Sequence, residues 1–511
     1  MKNTILLLTA ILVLIFCLFG CKSTNKNSVP DISELSIADI HTHFENGTLT
    51  SELLVKSYLE KIEEKNQIIN AITFTNPNAI EDARKLDQEF AQSGILKPLH
   101  GIPLLVKDNI NVKGIPTTAG SRAMLDNIPA EDAFIIKKLK EAGAVILAKT
   151  NMAEWAFSAM HTESTTGGTT KNPYNTQYVP AGSSGGTGAA IAANFATIGL
   201  GTDTGNSIRG PSSHNALVGF RTTLGLISRS AIVPLLLRND VVGPMCRNVE
   251  DATRVLEVMV GKDPDDPLTS YSEGKIPDNY QQFLQKEGLE RARIGILADL
   301  TDDVHPEIKS LFDQAINDLK ALGAVLEKDV RVPLFDSLRQ NQWCSTFKKD
   351  VEEYLSTYGS KNTPKKLKDI ISFGTNSDYA KTRLERYLDF QSRWGEDSTP
   401  CGEAYTDPLR IAFRMAIDRT MDSLGLDALV YPTWSYPPAH LDRFEEEYLG
   451  DNNQVICPHT GQPGFTVPMG FTKENLPAGL QFLGRMYAEP TLIKLAYAYE
   501  QGTKHRKPPN I

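Results

Sequence analysis

Near the start of the chain, apolar residues recur at steps of three and four positions. Over residues 36–64 this spacing predicts amphipathic helix. An Asn-Gly pair interrupts the pattern, so we expect two helices, and Thr50 or Ser51 can cap the second. A strand at 71–75 and another amphipathic helix at 79–93 are predicted to follow.

Further along, short apolar runs alternate with helical patterns. The run HGIPLLVKDNI predicts a buried strand that delivers Lys107, and a strand at 144–148 delivers Lys149 in a similar way. The order helix, glycine, strand is typical of α/β proteins. Nothing after residue 35 looks like a linker, so we predict one large α/β domain. The other predicted elements are helices at 132–143, 249–260, 305–322 and 489–500, helical segments over 335–394, and strands at 294–297, 324–326, 426–431, 461–470 and 477–484.

The segment 180–211, PAGSSGGTGAAIAANFATIGLGTDTGNSIRGP, combines glycine, serine and small apolar residues. It predicts two loops, 181–188 and 202–210, separated by a close-packed helix at 189–194 and a buried strand at 196–201. If the strand runs back along the helix, Ser183 or Ser184 comes to lie beside Ser207. Serines together with backbone N–H groups exposed by glycine are the parts of an acyl-transfer site.

A serine nucleophile needs a base that removes its proton. His214 follows closely but has no carboxylate at an orienting position, and the order fits none of the common triads. A lysine must be neutral to act as a base, which requires burial or neighbouring positive charge. Lys107 and Lys149 both follow apolar strands, and spacing alone does not separate them. GSSGG also matches the hydrolase elbow G-x-S-x-G around Ser184, but no apolar strand precedes it.

Length and charge narrow the class of protein. The chain has 511 residues and a net charge of −9. An acidic chain of ordinary globular composition argues against a nucleic-acid partner. Six cysteines are present, and no group of them has the spacing of a zinc site. Four of them lie beyond the N-terminal region, allow three disulfide pairings and require none: Cys246, Cys344, Cys401 and Cys457.

The N-terminus has the pattern of an export signal. Lys2 precedes an apolar segment at 5–19, which ends in LFGC. This resembles a bacterial lipobox, with cleavage before Cys21 and lipid attachment to it, although Phe19 is bulkier than the usual residue. The alternative is an uncleaved signal anchor. Either places the protein outside the cytoplasm and bound to a membrane. We expect a signal peptide at 1–20, a lipidated tether at 21–35 and the folded domain at 36–511.

Several blocks, in order, resemble the amidase signature family. They are GIPLLVKDNI, GTTKNPYN, AGSSGGTGAA, GLGTDTGNSIRGPSSHN and GFRTTLGLIS, then LDALVYPTW, GQPGFTVPMG and LPAGLQFLGR. The resemblance is close over 101–251, returns over 427–508, and is weak over a variable insert at about 270–400. It implies a single α/β domain in which helices cover a central mixed β-sheet.

The resemblance also implies a Ser-Ser-Lys triad. Lys107 stands at the family lysine, Ser183 at the bridging serine that typically follows a cis peptide bond, and Ser207 at the nucleophile. Lys149 then falls at a structural position. The implied oxyanion hole consists of the backbone N–H groups of Thr204, Gly205, Asn206 and Ser207. Ser184, Asp203 and Arg209 are implied to orient the loops, with Asp203 or backbone carbonyls pairing a buried Arg209.

One residue departs from the family pattern. Many members have glycine immediately before the nucleophile, whereas this chain has Asn206. Asparagine tolerates left-handed backbone better than other residues with a side chain, so we expect the turn to survive.

The predicted function is hydrolysis of small or peptide amides to an acid and ammonia or amine, without metal or organic cofactor. The alternatives are an amidotransferase component that acts on misacylated tRNA, which an export signal disfavours, and a non-catalytic envelope lipoprotein that binds amide-bearing ligands.

Overall fold

The computed structural model describes residues 30–344, 346–389 and 401–511. The signal peptide, Cys21 and most of the expected tether therefore lie outside the described residues, as does part of the insert. Within the described residues, no helix combines the length and the apolar character that crossing a membrane requires.

The first part of the chain folds largely as its periodicity predicts. Two helices are separated at the Asn-Gly pair, and the Thr50 side chain caps the second by accepting from the N–H of Leu53. The elements up to the serine-rich segment are α1 (Ile37–Glu45), α2 (Ser51–Ile69), β1 (Ile72–Thr75), α3 (Ala79–Ser93), β2 (Pro103–Lys107), α4 (Phe134–Glu141), β3 (Val145–Thr150), β4 (Glu163–Ser164) and β5 (Gly168–Thr169). Because β3 extends to Thr150, Lys149 lies inside a strand rather than after one.

The serine-rich segment contains a helix and a strand whose positions differ from those predicted. Helix α5 spans Gly185–Ala192 and strand β6 spans Ile198–Asp203. The expected loop at 181–188 is therefore half helix, and the expected loop at 202–210 begins inside a strand. The sequence did not predict the first turn of α5, because the glycines there have low helix propensity. Packing requires a glycine here: a Cβ on Gly186 would lie 2.7 Å from the backbone nitrogen of Asn151. On the facing strand, a Cβ on Gly199 would lie 2.6 Å from Thr187 Cγ2 and 2.8 Å from Ile191 Cγ1.

The rest of the chain contains five elements that the sequence patterns did not indicate. These are two strands at Val218–Arg221 and Val241–Cys246, two short helices at Arg209–His214 and Cys457–Thr460, and a long helix at Pro408–Leu424, whose buried positions are interspersed with charged residues. The elements after β6 are α6 (Arg209–His214), β7 (Val218–Arg221), β8 (Val241–Cys246), α7 (Val249–Met259), β9 (Arg293–Leu297), α8 (Pro306–Ala321), β10 (Val325–Val330), α9 (Phe335–Leu338), α10 (Phe347–Thr357), α11 (Leu367–Ser372), α12 (Asp378–Asp389), α13 (Pro408–Leu424), β11 (Ala428–Pro432), α14 (Cys457–Thr460), β12 (Gly464–Phe471), β13 (Pro477–Leu483) and α15 (Glu489–Thr503).

One mixed sheet of 11 strands organises the domain, in the order β1-β3-β2-β6-β8-β7-β12-β13-β11-β9-β10. Strands β3, β2 and β6 are parallel to one another, and β6 pairs antiparallel with β8. Helices pack on the sheet and bury an extensive apolar core. The predicted single α/β domain with a mixed, helix-covered sheet is confirmed.

The insert has two parts: β9, α8 and β10 join the central sheet and its helices, whereas the later helices pack beside it. Helices α10, α11 and α12 bury apolar side chains against residues from the loops that follow β2 and β3, and against Val233 and Leu236. Cys344 and Cys401 form a disulfide across this region, with Cα atoms 6.1 Å apart, whereas Cys246 and Cys457 are buried thiols. Of the four cysteines among the described residues, two therefore form a disulfide bond and two remain thiols.

Candidate active site

Lys107 and the serine-rich segment meet at one edge of the sheet. Strands β2 and β6 are parallel neighbours, so their carboxyl ends lie side by side. Lys107 ends β2, and its Nζ lies 2.7 Å from Ser183 Oγ and 2.8 Å from Thr202 Oγ1. The Thr202 carbonyl oxygen accepts at 3.3 Å. The lysine is thus fully buried and held between the start of α5 and the end of β6.

Burial makes Lys107 unusually easy to deprotonate. It lowers the pKa of Lys107 to about 7, although the carboxylates of Asp203 and Asp240 act in the opposite direction. At neutral pH a large share of this side chain is therefore the uncharged amine. An uncharged amine beside a serine hydroxyl can accept its proton.

Ser183 and Ser184 occupy different environments although they are adjacent. Ser183 follows a cis peptide bond with Gly182, and its side chain contacts Lys107. Ser184 points instead to the backbone of β6: its Oγ donates to the Thr202 carbonyl oxygen at 3.2 Å and accepts from the Thr202 N–H at 3.3 Å. The hydrogen bonds of the Ser184 side chain therefore link α5 to β6 and involve neither lysine.

Ser207 lies in the turn between β6 and α6. Its Oγ donates to Asn206 Oδ1 at 3.3 Å, and Asn206 Nδ2 in turn donates to the Ala159 carbonyl oxygen at 3.0 Å. Asn206 does not adopt a positive φ, so an asparagine here imposes no backbone strain. Because the backbone at this position is not left-handed, the turn does not depend on the tolerance of asparagine for that conformation.

The same turn presents backbone donors without protein partners. Thr204, Gly205, Asn206 and Ser207 are all buried, yet in the described part of the chain their N–H groups donate to no acceptor. Buried N–H groups are nearly always paired in folded proteins. A cluster of them beside a serine hydroxyl is the arrangement that binds a developing oxyanion.

A buried ion cluster fixes the two ends of this turn. Arg209 Nε donates to Asp203 Oδ2 at 3.1 Å and Arg221 Nη1 to Asp203 Oδ1 at 2.7 Å. Burial opposes the charge of Asp203, but the two guanidinium groups outweigh it and lower the pKa of Asp203 to about 2. Arg209 also donates to the carbonyl oxygens of Gly205 and Asn453, at 2.7 and 3.0 Å. The turn is therefore held in place at Asp203 and at Gly205.

The structure separates the two candidate lysines. Lys149 Nζ donates to the Ile110 carbonyl oxygen at 2.7 Å and to Thr117 Oγ1 at 2.9 Å, and lies 3.4 Å from Asp108 Oδ1. None of these three contacts is a serine. Burial lowers the pKa of Lys149 to about 8, against the effect of Asp108. Its partners are those of a structural ion pair.

His214 is not placed to act as a base. It is buried beside the ring of Trp434, with ring centroids 4.6 Å apart. Neither ring nitrogen has a hydrogen-bond partner among the described residues, and burial lowers the pKa of His214 to about 3. The structure thus joins Lys107 directly to Ser183, and places Ser207 in the turn after β6, whose Thr202 also binds Lys107. Among the described residues, His214 has no hydrogen bond to any of them.

Sequence reasoning missed four residues of the site: Asn109, Thr202, Arg221 and Asp240. Thr202 accepts from both Lys107 and Asn109, at 2.8 and 3.1 Å. Asp240 accepts from the Thr204 hydroxyl and from the backbone N–H groups of Leu235 and Leu236. Arg221 completes the ion cluster. Asn109 and Thr202 lie within the sequence blocks that resemble the family, and this position could have identified them. Asp240 lies outside those blocks, and nothing in the sequence pointed to it.

Comparison with known proteins finds relatives that are similar over nearly the whole chain. The family model "Amidase" matches residues 53–493. The chain is 34% identical to a probable amidase of Arabidopsis thaliana over 98% of this chain and 96% of that protein. It is 32% identical to a glutamyl-tRNA(Gln) amidotransferase subunit of Alkaliphilus metalliredigens, over 92% of this chain and 96% of that one.

A solved structure is similar over nearly the whole fold. The peptide amidase of Stenotrophomonas maltophilia superimposes with a TM-score of 0.81 at 33% identity, over 94% of this chain and 99% of that one. The family match covers most of the chain, and the resemblance noted in the sequence blocks is therefore confirmed. The chain belongs to the amidase signature family and is a hydrolase that acts on C–N amide bonds.

Proposed function

We propose that this enzyme hydrolyses carboxamides through Lys107, Ser183 and Ser207. The observation that carries the proposal is the buried contact of 2.7 Å between Lys107 Nζ and Ser183 Oγ, beside a turn of backbone N–H groups that lack acceptors among the described residues. It supplies a base of suitable pKa, a bridging hydroxyl and an oxyanion site at one point. These are the parts that acyl transfer needs.

The proposed reaction begins with a rotation of Ser207 Oγ from Asn206 toward Ser183. Neutral Lys107 accepts the Ser183 proton, and Ser183 accepts the Ser207 proton as Ser207 Oγ bonds to the carbonyl carbon. The carbonyl oxygen, now an oxyanion, is bound by the N–H groups of residues 204–207. The C–N bond then breaks, and the proton returns through Ser183 to the leaving nitrogen. Water adds to the acyl-enzyme by the same route and releases the acid.

For the substrate we propose small carboxamides and peptide amides. Support comes from the similarity to a peptide amidase over nearly the whole chain. The amidotransferase relatives suggest a second candidate, transfer of ammonia to a tRNA-bound amino acid. The net charge of −9 does not favour a nucleic-acid substrate.

We further propose that the enzyme is exported and anchored by a lipid on Cys21. Support comes from the apolar segment that ends in LFGC, and from the Cys344–Cys401 disulfide, since such bonds persist in oxidising compartments. In the native host, the wild type is expected to incorporate labelled fatty acid, and Cys21→Ser is expected to lose that label. Wild-type protein that stays in the membrane fraction without label would indicate an uncleaved signal anchor.

Substituting the proposed nucleophile tests the mechanism. Ser207→Ala is expected to lower ammonia release from peptide amides by at least about 10⁴-fold and to abolish labelling by a fluorophosphonate, since the covalent step is lost. Ser184→Ala serves as the matched control, because Ser184 is an equally buried serine whose hydroxyl bonds to the Thr202 backbone. Unchanged turnover by Ser207→Ala would contradict the proposal.

A further inference from the structure

A half-exposed tryptophan lies against the turn that carries the candidate nucleophile. Trp343 Cη2 is 3.3 Å from the position that a Cβ on Gly205 would occupy. One edge of the ring also packs perpendicular to the buried ring of His459, with centroids 4.6 Å apart. The tryptophan nevertheless remains 44% exposed. A large apolar surface is thus held at the site without being covered by the described part of the protein.

The segment that carries Trp343 is fastened from both sides. Cys344, the next residue, is bonded to Cys401. Arg238 spans the same two segments: it donates to the Gln342 carbonyl oxygen at 3.3 Å, to the Gly402 carbonyl oxygen at 3.0 Å and to Asp407 at 3.0 Å. A covalent bond and a shared guanidinium therefore fix the tryptophan segment relative to Arg238. Asp240, two residues further along, accepts from the hydroxyl of Thr204, the neighbour of Gly205.

The position of Trp343 determines which part of a substrate it can meet. An oxyanion bound to the N–H groups of Gly205 and Asn206 would lie about 3 Å from them, which places the carbonyl carbon within a side chain's length of Trp343. The leaving group of a primary carboxamide is only ammonia. The group that extends to the tryptophan is therefore the acyl part of the substrate.

We propose that Trp343 is the wall of a subsite that selects an apolar, and above all aromatic, acyl side chain, and that the Cys344–Cys401 disulfide positions it. This inference rests on the proposed function and specifies its substrate class. Aromatic side chains gain from edge or offset contacts as well as from burial, so a tryptophan wall favours them over small acyl groups. No charged group is needed for this selection.

The test compares acetyl-phenylalaninamide with acetyl-glycinamide in the mature, oxidised protein. The wild type is expected to favour the aromatic substrate in kcat/KM by at least about tenfold, mainly through KM. Trp343→Ala is expected to remove most of that ratio while acetyl-glycinamide is hydrolysed within about threefold of wild type, and Trp343→Phe to keep most of it. Leu334→Ala, an exposed apolar residue upstream in the same insert, is the matched control.

The disulfide is tested with the same two substrates. Cys344→Ser/Cys401→Ser is expected to lower the aromatic preference at least threefold while fluorophosphonate labelling of Ser207 persists. An unchanged ratio in Trp343→Ala, or an equal loss for both substrates, would overturn the inference.

Binding separates this inference from the proposed function. Calorimetry with Ser207→Ala protein is expected to show tighter binding of acetyl-phenylalaninamide than of acetyl-glycinamide, and Ser207→Ala/Trp343→Ala to lose the difference. If the wild type hydrolyses neither amide and is not labelled, the proposed mechanism fails. If binding then also shows no Trp343-dependent difference, the subsite fails as well.

Discussion

At the scale of single residues, environment rather than residue type separates groups that look alike in the sequence. Lys107 and Lys149 are both fully buried. Lys107 faces serine and threonine hydroxyls, whereas Lys149 faces backbone carbonyls and Asp108. A lysine without a carboxylate partner can lose its proton at little cost, and one paired with a carboxylate stabilises the fold instead.

The pKa of Lys107 leads to a prediction about pH. Because the base must be neutral, the reactive fraction rises as the pH passes upward through about 7. We expect kcat/KM for a peptide amide to fall about tenfold for each pH unit below that value and to level off above it. A pH–rate profile of the wild type measures this fall in kcat/KM on the acidic side. A profile that is flat from pH 5 to 9 would show that Lys107 does not titrate in the reaction.

Substituting each lysine by methionine separates their roles. Lys149→Met leaves Asp108 buried without its partner, and is expected to lower the free energy of unfolding by roughly 3 kcal/mol. Lys107→Met is expected to lose activity at least 10³-fold, because it removes the base. It is expected to remain folded, because Lys107 bonds to no carboxylate that the substitution would leave unpaired. Urea denaturation and ammonia release measure the two effects. The reverse pattern would exchange the assignments.

At the scale of elements, close packing of α5 on β6 brings the two serine loops together. The helix ends at Ala192 and the strand returns beneath it, so Ser183 and Thr202 end at the same edge of the sheet. Glycine on β6 and small side chains on α5 permit this contact. The helix could not approach as closely if β6 carried larger residues.

Gly199 offers a test of this packing. Gly199→Ala places a Cβ against Thr187 and Ile191, and is expected to cost about 1–3 kcal/mol of stability and to lower activity, since α5 must shift with Ser183. Gly484→Ala is the control, because its nearest neighbours would lie 3.0–3.2 Å away. Thermal unfolding and kcat/KM measure both variants. Equal effects of the two substitutions would contradict a special role for the α5–β6 contact.

At the scale of the whole molecule, one sheet joins the active site to distant parts of the chain. The start of the described fold lies beside its end, where Arg506 Nη2 pairs with Glu34 Oε1 at 2.7 Å. The insert helices pack on the loops next to the site. Residues far apart in sequence, such as Trp343 and Gly205, thereby meet.

The disulfide is expected to contribute to the stability of the insert. It closes a loop with a sequence separation of 57 residues, and loops of this length are associated with roughly 2–4 kcal/mol. Cys344→Ser/Cys401→Ser is therefore expected to unfold at lower denaturant concentration than the wild type, both measured without reductant. Cys246→Ser, which alters a buried free thiol, controls for the substitution itself. Identical midpoints for wild type and double variant would refute this contribution.

The amino-acid sequence predicted the class of fold, most early elements and the residues of the candidate triad. Apolar periodicity reports burial locally, and the family blocks place Lys107, Ser183 and Ser207. The tertiary structure supplied the contacts that distinguish Lys107 from Lys149, excluded His214, and showed Thr202, Asp240 and Trp343 around the site. These assignments depend on which groups meet across the sheet, and contacts between residues far apart in the chain leave no periodic pattern. The glycine-rich start of α5 was missed for a related reason: its helix is stabilised by packing, not by local propensity.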